Sequence, residues 1–299
     1  MQTWVYFVLL SQFIWAFCSL IDKFVLSNKY IENPAVYIVL NGLTSLFIIF
    51  LIPFFGFEPL KFGDFLIAFI AGVSYSAAVV IYYKAVQDEE ISRITILYQM
   101  GPIFVLILSY ILLGEKLNRN HFIGFLLLIF AGIFISYKSV NGKIKLSKAF
   151  WLMSLSLFLG SAGVVAVKQV YSTTGFWNAF LWLKLTTLSA LGVLIAPSVR
   201  KDFSNTFKKM KPKIKGLMVF KMIIDFIAFV FSGYAIKNAP ISLVTALSSA
   251  ALPLFVFFLV LISSVYFPML IKEDMEKKTV IIKLLSIVVI IIGLLFASS

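Results

Sequence analysis

Three charged side chains, Lys184, Lys221 and Asp225, lie inside long apolar runs. A charge held at membrane depth costs about 2.5–3.5 kcal/mol even on the lenient insertion scale, so each demands a reason. Lys184 follows Phe180-Leu181-Trp182-Leu183. It sits roughly 13 Å into its run at 1.5 Å per residue of helix, with no short route to water. It reads either as a substrate or coupling contact or as a snorkelling or structurally paired lysine. Lys221 and Asp225 are spaced to share one face of a helix. They read either as a self-neutralising pair that lets the helix insert or as a carboxylate whose proton affinity depends on the lysine and on substrate. Together the three leave one excess positive charge. An anionic group, a carboxylate or phosphate, would complete such a site; so would a lysine that exchanges protons.

Uncharged polar residues accompany them. Gln12, Trp15, Ser19 and Asp22 form a stripe at helical spacing, which a helix facing only lipid does not need. Asp22 with Lys23 reads as an interfacial charge pair. Thr95 and Gln99 precede Pro102 as Thr245 and Ser249 precede Pro253; such groups also bridge helices without further role. Each proline removes an amide donor and is expected to kink its helix, as a hinge or as a static packing bend. Counting back from Pro53 and Pro197, Leu40-Asn41 stands opposite Lys184. Matching Ala85 to Ala235, Tyr75 stands opposite Asp225, and Tyr82 shares its helix face. Trp15, Tyr98, Trp182 and Tyr234 are further candidates for aromatic walls. Lys184, Lys221, Asp225, Gln99, Asn41, Tyr75 and Trp15 are therefore the expected substrate or coupling residues, and Pro102 and Pro253 the expected hinges.

These counterparts exist because the chain repeats itself. Tyr82-Tyr83-Lys84-Ala85, Ile91-Ser92 and Gly101-Pro102 return as Ser232-Gly233-Tyr234-Ala235, Ile241-Ser242 and Leu252-Pro253. The 299 residues are 61% hydrophobic and 13% charged, against nearer half and a quarter in soluble domains. Ten continuous apolar runs, about 3–26, 34–55, 62–86, 91–113, 120–137, 149–171, 175–197, 213–237, 240–266 and 279–297, each approach the roughly 20 residues a helical span needs. Continuous rather than alternating runs exclude a barrel. The fold expected is all-α and integral to the membrane. Five helices per half, an odd number, place the second half in opposite topology. That makes two inverted five-helix repeats, residues 1–140 and 141–299, with the site at their seam. The stretch from Ser198 to about Pro212 reads as a solvated, Lys-rich loop.

Of 26 Lys and Arg, Lys184 and Lys221 lie within runs, and Lys61, Lys116, Arg119, Lys168 and Lys237 fall on one side. All the others fall on the opposite side, which is expected to be cytoplasmic, with both termini outside. The net charge of +13 does not point to nucleic acid, because the basic residues sit in short loops between lipid-length runs. One cysteine, Cys18, and one histidine, His121, leave no internal disulfide and no histidine metal site or triad. Neither HExxH, GxSxG nor GxxxxGK[ST] occurs, so no enzyme, no cofactor and no ATP-driven pump is expected. The first run reads as a retained helix rather than a signal peptide.

Ala85, Ile91-Ser92, Pro102, Leu113-Gly114-Glu115-Lys116-Leu117, Gly124 and Ala131-Gly132 resemble the repeat of the drug/metabolite transporter superfamily, EamA-like branch. Trp15 followed by Lys23 resembles that family's first helix, and Gly160 to Lys168 is a fainter echo in the second half. The second copy departs by carrying Lys272-Glu273-Asp274-Met275-Glu276-Lys277 in place of the Gly-Glu-basic-Leu turn. The resemblance implies a ten-helix secondary transporter of small metabolites or drug-like solutes, with a central cavity. The expected substrate is anionic or zwitterionic, moved by alternating access with proton coupling or exchange. The expected partners are that solute and membrane lipid, and the expected state a monomer or homodimer. The rivals are a flippase for an amphipathic or lipid-linked anion and a non-transporting scaffold or sensor.

Overall fold

The computed structural model describes residues 2–27, 30–31, 33–88, 97–136, 148–266 and 277–297. Its α-helices are α1 (Thr3–Ser27), α2 (Pro34–Leu43), α3 (Ile52–Phe55), α4 (Phe62–Asp88), α5 (Gly101–Leu113), α6 (Arg119–Ser136), α7 (Lys148–Thr173), α8 (Phe176–Thr186), α9 (Pro197–Lys209), α10 (Pro212–Asn238), α11 (Ile241–Tyr266) and α12 (Lys277–Ala297). Two 3-10 segments, Thr44–Phe50 and Thr187–Ile195, continue α2 and α8. Among the described residues there is no strand.

Five stretches are long and apolar enough to cross a membrane: Thr3–Asp22, Phe62–Tyr82, Phe150–Thr173, Phe176–Ile195 and Ile241–Val260. Shorter apolar helices cover Ile38–Phe50, Gly101–Leu113, Arg119–Ala131 and Leu284–Ala297. α10 has 27 residues and is about 40 Å long. It carries Lys221 and Asp225 within an otherwise apolar stretch.

Three expectations are corrected. The Lys-rich stretch after Ser198 is not a loop: Pro197–Lys209 is helical. Pro197 sits in its first turn, where a missing amide costs nothing, and Lys208 and Lys209 occupy the last turn, where cations favour the helix dipole. The runs 34–55 and 175–197 are not unbroken α-helices; each changes to 3-10 geometry partway. Pro102 is not a mid-helix kink either, because it stands in the first turn of α5, while Pro253 lies inside α11. Thr95 lies outside the described residues.

The helices before and after the middle of the chain interlock rather than forming separate bundles. α4 packs on α7, α6 on α11 and α12, α1 on α10 and α11, and α5 on α7 and α11. Small residues allow the closest approaches. A Cβ at Gly124 in α6 would lie 2.7 Å from the Ala297 amide nitrogen of α12. A Cβ at Gly72 in α4 would lie 2.6 Å from the Thr186 carbonyl at the end of α8. The largest core cluster joins Trp4, Val5 and Val8 of α1 to Phe125 and Leu128 of α6 and Leu243, Val244 and Leu247 of α11.

Candidate functional site

The two α-to-3-10 transitions meet. They occur at Leu43-Thr44 and Thr186-Thr187, and the hydroxyls of Ser45 and Thr187 are hydrogen-bonded to each other. Nearby, Ser76 of α4 and Ser189 are bonded at 3.0 Å. Thr186 and Thr187 turn their hydroxyls back onto the carbonyls of Leu183 and Lys184 at 2.8 and 2.7 Å. These back-bonds offer the backbone an alternative to the regular ladder exactly where the helix changes pitch. A 3-10 stretch within a longer helix is a common mark of a functional hinge. Lys184 is the basic residue of the last α-helical turn before it.

Lys184 is 6% exposed. Its ammonium stands 3.0 Å from the centre of the Phe229 ring and 5.9 Å from that of Phe226, so the negative ring faces of α10 solvate it. Among the described residues no carboxylate lies within ion-pair distance of it. Phe229 also packs edge-on to Trp15 of α1, with centroids 5.2 Å apart. The Trp15 Nε1–H donates to the Asp225 carboxylate at 2.8 Å. Asp225 is buried and stands within electrostatic reach of Lys184. One turn further along α1, Cys18 has Asp225, Lys221 and Asp22 all within electrostatic range.

The Lys221–Asp225 pair allowed by their spacing is not the one formed. Lys221 reaches Asp22 at 3.1 Å, while Asp225 takes the indole of Trp15. α1 lies alongside α10 and supplies a nearer partner to each. Asp22 is consequently more than an interfacial partner of Lys23, whose side chain lies outside the described residues. With Asp22 included, Asp22 and Asp225 against Lys184 and Lys221 balance formally. The stripe on α1 has its reason here, since Trp15 and Asp22 both face α10. Ser19 back-bonds to the Trp15 carbonyl, and Gln12 is buried beside Ser11.

The remaining candidates are more scattered. Gln99 is buried and reaches the Ser249 carbonyl of α11 at 3.4 Å. Asn41 falls in α2, with its side chain outside the described residues. Tyr75 is 40% exposed on α4, unlike its counterpart Asp225. Tyr98 is exposed and packs edge-on to Tyr82, with centroids 6.2 Å apart. Trp182 turns away from the cluster, donating to the Glu58 carbonyl at 2.8 Å and stacking on Phe57. Tyr234 stacks on Phe176 at 3.8 Å and on Phe7 at 5.5 Å. Thr245 and Ser249 bond back to their own helix.

Sequence reasoning missed a second assembly. Gly114 ends α5 in the left-handed conformation (φ 66°), a conformation glycine adopts without steric cost. The turn presents Glu115, whose two carboxylate oxygens accept from the Ile241 amide at 3.1 Å each. Ile241 is the first residue of α11. Lys168 of α7 donates to the carbonyls of Ile236, Lys237 and Ala239 at 2.8, 3.1 and 2.9 Å, at the end of α10. The α10–α11 junction thus receives an anion at a helix N-terminus and a cation at a helix C-terminus, each matched to its helix dipole. The available signals were the Gly114-Glu115 motif and the Gly160–Lys168 echo. Likewise, the paired hydroxyl residues Thr44-Ser45 and Thr186-Thr187 within the second and seventh apolar runs were the signal for the two helix transitions.

No curated protein matches the sequence. Among 28 solved chains that match, one crystal structure of a protein superposes with a TM-score of 0.69 over 99% of this chain and 98% of that chain, at 16% identity. That likeness carries the fold alone. The model of the EamA-like transporter family matches residues 2–137, which include the α1 stripe and the Gly114-Glu115 turn. Over that stretch, somewhat less than half of its length, the chain is similar to the EamA-like transporter family, part of the drug/metabolite transporter superfamily, and its long apolar helices are those of a multi-pass membrane protein.

Proposed function

We propose that the chain is a secondary transporter built from two inverted five-helix halves, residues 1–140 and 141–299, which moves a small anionic or zwitterionic solute by alternating access. The packing supports the halves. If the ten apolar runs are paired first with sixth, second with seventh and so on, several of the larger contacts come in exchanged couples, although α6·α11 has no such counterpart. α1·α10 is the counterpart of α4·α7, and α1·α11 of α5·α7. The α6·α12 and α5·α11 contacts, and that of α2 with the second 3-10 segment, are their own counterparts. Such reciprocity is what a two-fold relation between halves produces. An even number of spans puts both termini on one side, and the Lys and Arg bias is the reason to read that side as outside and the Lys-rich loops as cytoplasmic.

The observation that carries the substrate reading is that Lys184 and Asp225 are both buried and that, among the described residues, each contacts an aromatic side chain and neither is within ion-pair distance of an opposite charge. A ring face and an indole N–H stabilise a charge less than a full counter-ion does. Both groups therefore retain attraction to spend on a ligand. A carboxylate or phosphate answers Lys184; an ammonium, or a proton in its absence, answers Asp225. The broken helices beside them supply the change of shape, and rocking of one half against the other exposes the solute to either side. Pro253, with Pro102 at a helix start, gives the adjoining helices places to bend.

The test is flux in proteoliposomes over anionic, zwitterionic and cationic metabolites, with and without a pH gradient. The expected result is uptake of an anionic or zwitterionic solute that Lys184→Met abolishes. Movement of no solute overturns transport; movement of a lipid alone makes the protein a flippase. Flux that survives both Lys184→Met and Asp225→Asn assigns the cluster to structure.

A further inference from the structure

We propose that α9 and the start of α10 form a binding site for an anionic glycerophospholipid, distinct from the buried Lys184–Asp225 cluster. At 100° per residue, Val199, Phe203 and Thr206 fall on one side of α9, with Phe207 at its edge and Met210 just past its end. Arg200, Lys201, Lys208 and Lys209 occupy the other arc. Between Pro197 and Lys215 the chain has seven basic residues, completed by Lys211, Lys213 and Lys215, against one acidic residue. That residue, Asp202, is held by the Asn33 side-chain amide at 2.7 Å. All the basic residues but Lys215 are exposed. A helix with one apolar face and one basic face, at the end of membrane-length helices, has the composition of an interfacial element.

The apolar face of α9 does not simply close onto the bundle. A cleft of about 50 Å³ remains between α2, α9 and α10, lined by Val36, Leu40, Phe203, Phe207, Met218 and Met222. Lys215 lines it too, its ammonium 4.6 Å from the centre of the Phe207 ring. From the cleft an exposed apolar stripe descends α10 one turn at a time: Val219 (50%), Ile223 (43%) and Ile227 (41%). Phe207 is itself 48% exposed. The arrangement offers cationic donors at the upper end and a continuous hydrocarbon surface below. A phosphodiester bearing acyl chains meets both, its phosphate among Lys208, Lys213 and Lys215 and a chain against Val219 and Ile223. A soluble anion would leave the stripe unused, and a neutral phospholipid would leave the lysines uncompensated.

The full-length protein in neutral detergent micelles tests this by native mass spectrometry and thermal unfolding, with phosphatidylglycerol, phosphatidylcholine of the same chain length, and glycerol phosphate. The expected result is selective retention of phosphatidylglycerol and a higher unfolding midpoint with it than with phosphatidylcholine. Lys208→Gln/Lys209→Gln/Lys211→Gln/Lys213→Gln should weaken retention roughly several hundredfold, at roughly fivefold per charge, while leaving the midpoint in phosphatidylcholine unchanged. Should that variant fail to fold, Lys208→Gln and Lys213→Gln singly are expected to give graded losses. Val219→Gln is expected to weaken lipid retention through the stripe without altering the charge. Equal retention of the two lipids, an equal shift with glycerol phosphate, or stabilisation confined to a dimeric mass would each overturn the proposal.

Discussion

The Trp15 indole donates to the Asp225 carboxylate at 2.8 Å across 210 positions of sequence, joining the first apolar helix to the eighth apolar run. Trp15→Phe keeps the ring against Phe229 and removes the donor. A hydrogen bond to a charged group contributes about 1.5–3 kcal/mol, so its unfolding midpoint in micelles should fall. In a double-mutant cycle, Trp15→Phe combined with Asp225→Asn should cost less than the two single losses added. Additive losses would show that the bond contributes nothing of its own.

Lys184→Met should fold at least as well as the parent, because it replaces a buried ammonium lacking a carboxylate partner with a side chain of similar length. Loss of flux alongside an unchanged or raised midpoint separates recognition from structure. A collapse of the midpoint would mean that Lys184 and the Phe229 ring hold the bundle together.

The Lys221–Asp22 pair is half-buried, with Asp22 31% exposed. Lys221→Met alone should therefore cost less than the about 3–5 kcal/mol of breaking a fully buried pair. Adding Asp22→Asn should restore part of the loss, because the stranded carboxylate goes with it. Unfolding in micelles reads both. If Lys221→Met instead behaves identically with and without Asp22→Asn, the pair is not energetically linked.

At the α10–α11 junction, Lys168→Met leaves three carbonyls without their shared donor, and Glu115→Gln removes the anion from the start of α11. A capping or dipole interaction of the Glu115 kind contributes about 0.5–2 kcal/mol. Lys168, with three bonds, should matter more. Cysteine labelling near Asn238 should increase in both variants. Labelling that stays at the parent's level would remove the junction as a clamp.

Gly124→Val should be among the most damaging single changes outside the charged cluster. Its Cβ would stand 2.7 Å from a backbone nitrogen of α12, and overpacking of this kind costs about 1–3 kcal/mol. Gly63→Ala, where a Cβ meets nothing within 4 Å, is the control and should be silent in the same unfolding assay.

Much of this was legible from the chain alone. Unbroken apolar runs of membrane length can only become helices where water is absent, because every backbone group must be satisfied within its own segment. That argument places α1, α4, α7 and α11 from composition. The cost of burying charge singles out Lys184, Lys221 and Asp225 in the same way. Amphipathy was also written in Val199, Phe203 and Phe207, but the density of lysine around them masked it, and the stretch read as a loop.

What only the tertiary structure decided is who partners whom. Helical spacing permits Lys221 to meet Asp225 but says nothing of what a neighbouring helix brings alongside. α1 brings Asp22 and Trp15, and both pairings change. Glu115 and Lys168 look like ordinary loop and helix-end charges until the α10–α11 junction is placed between them. A sequence records the charges and periodicities of each helix, which are local. The partner of a buried charge is set by lateral contact between helices, and lateral order in a bundle is decided by packing.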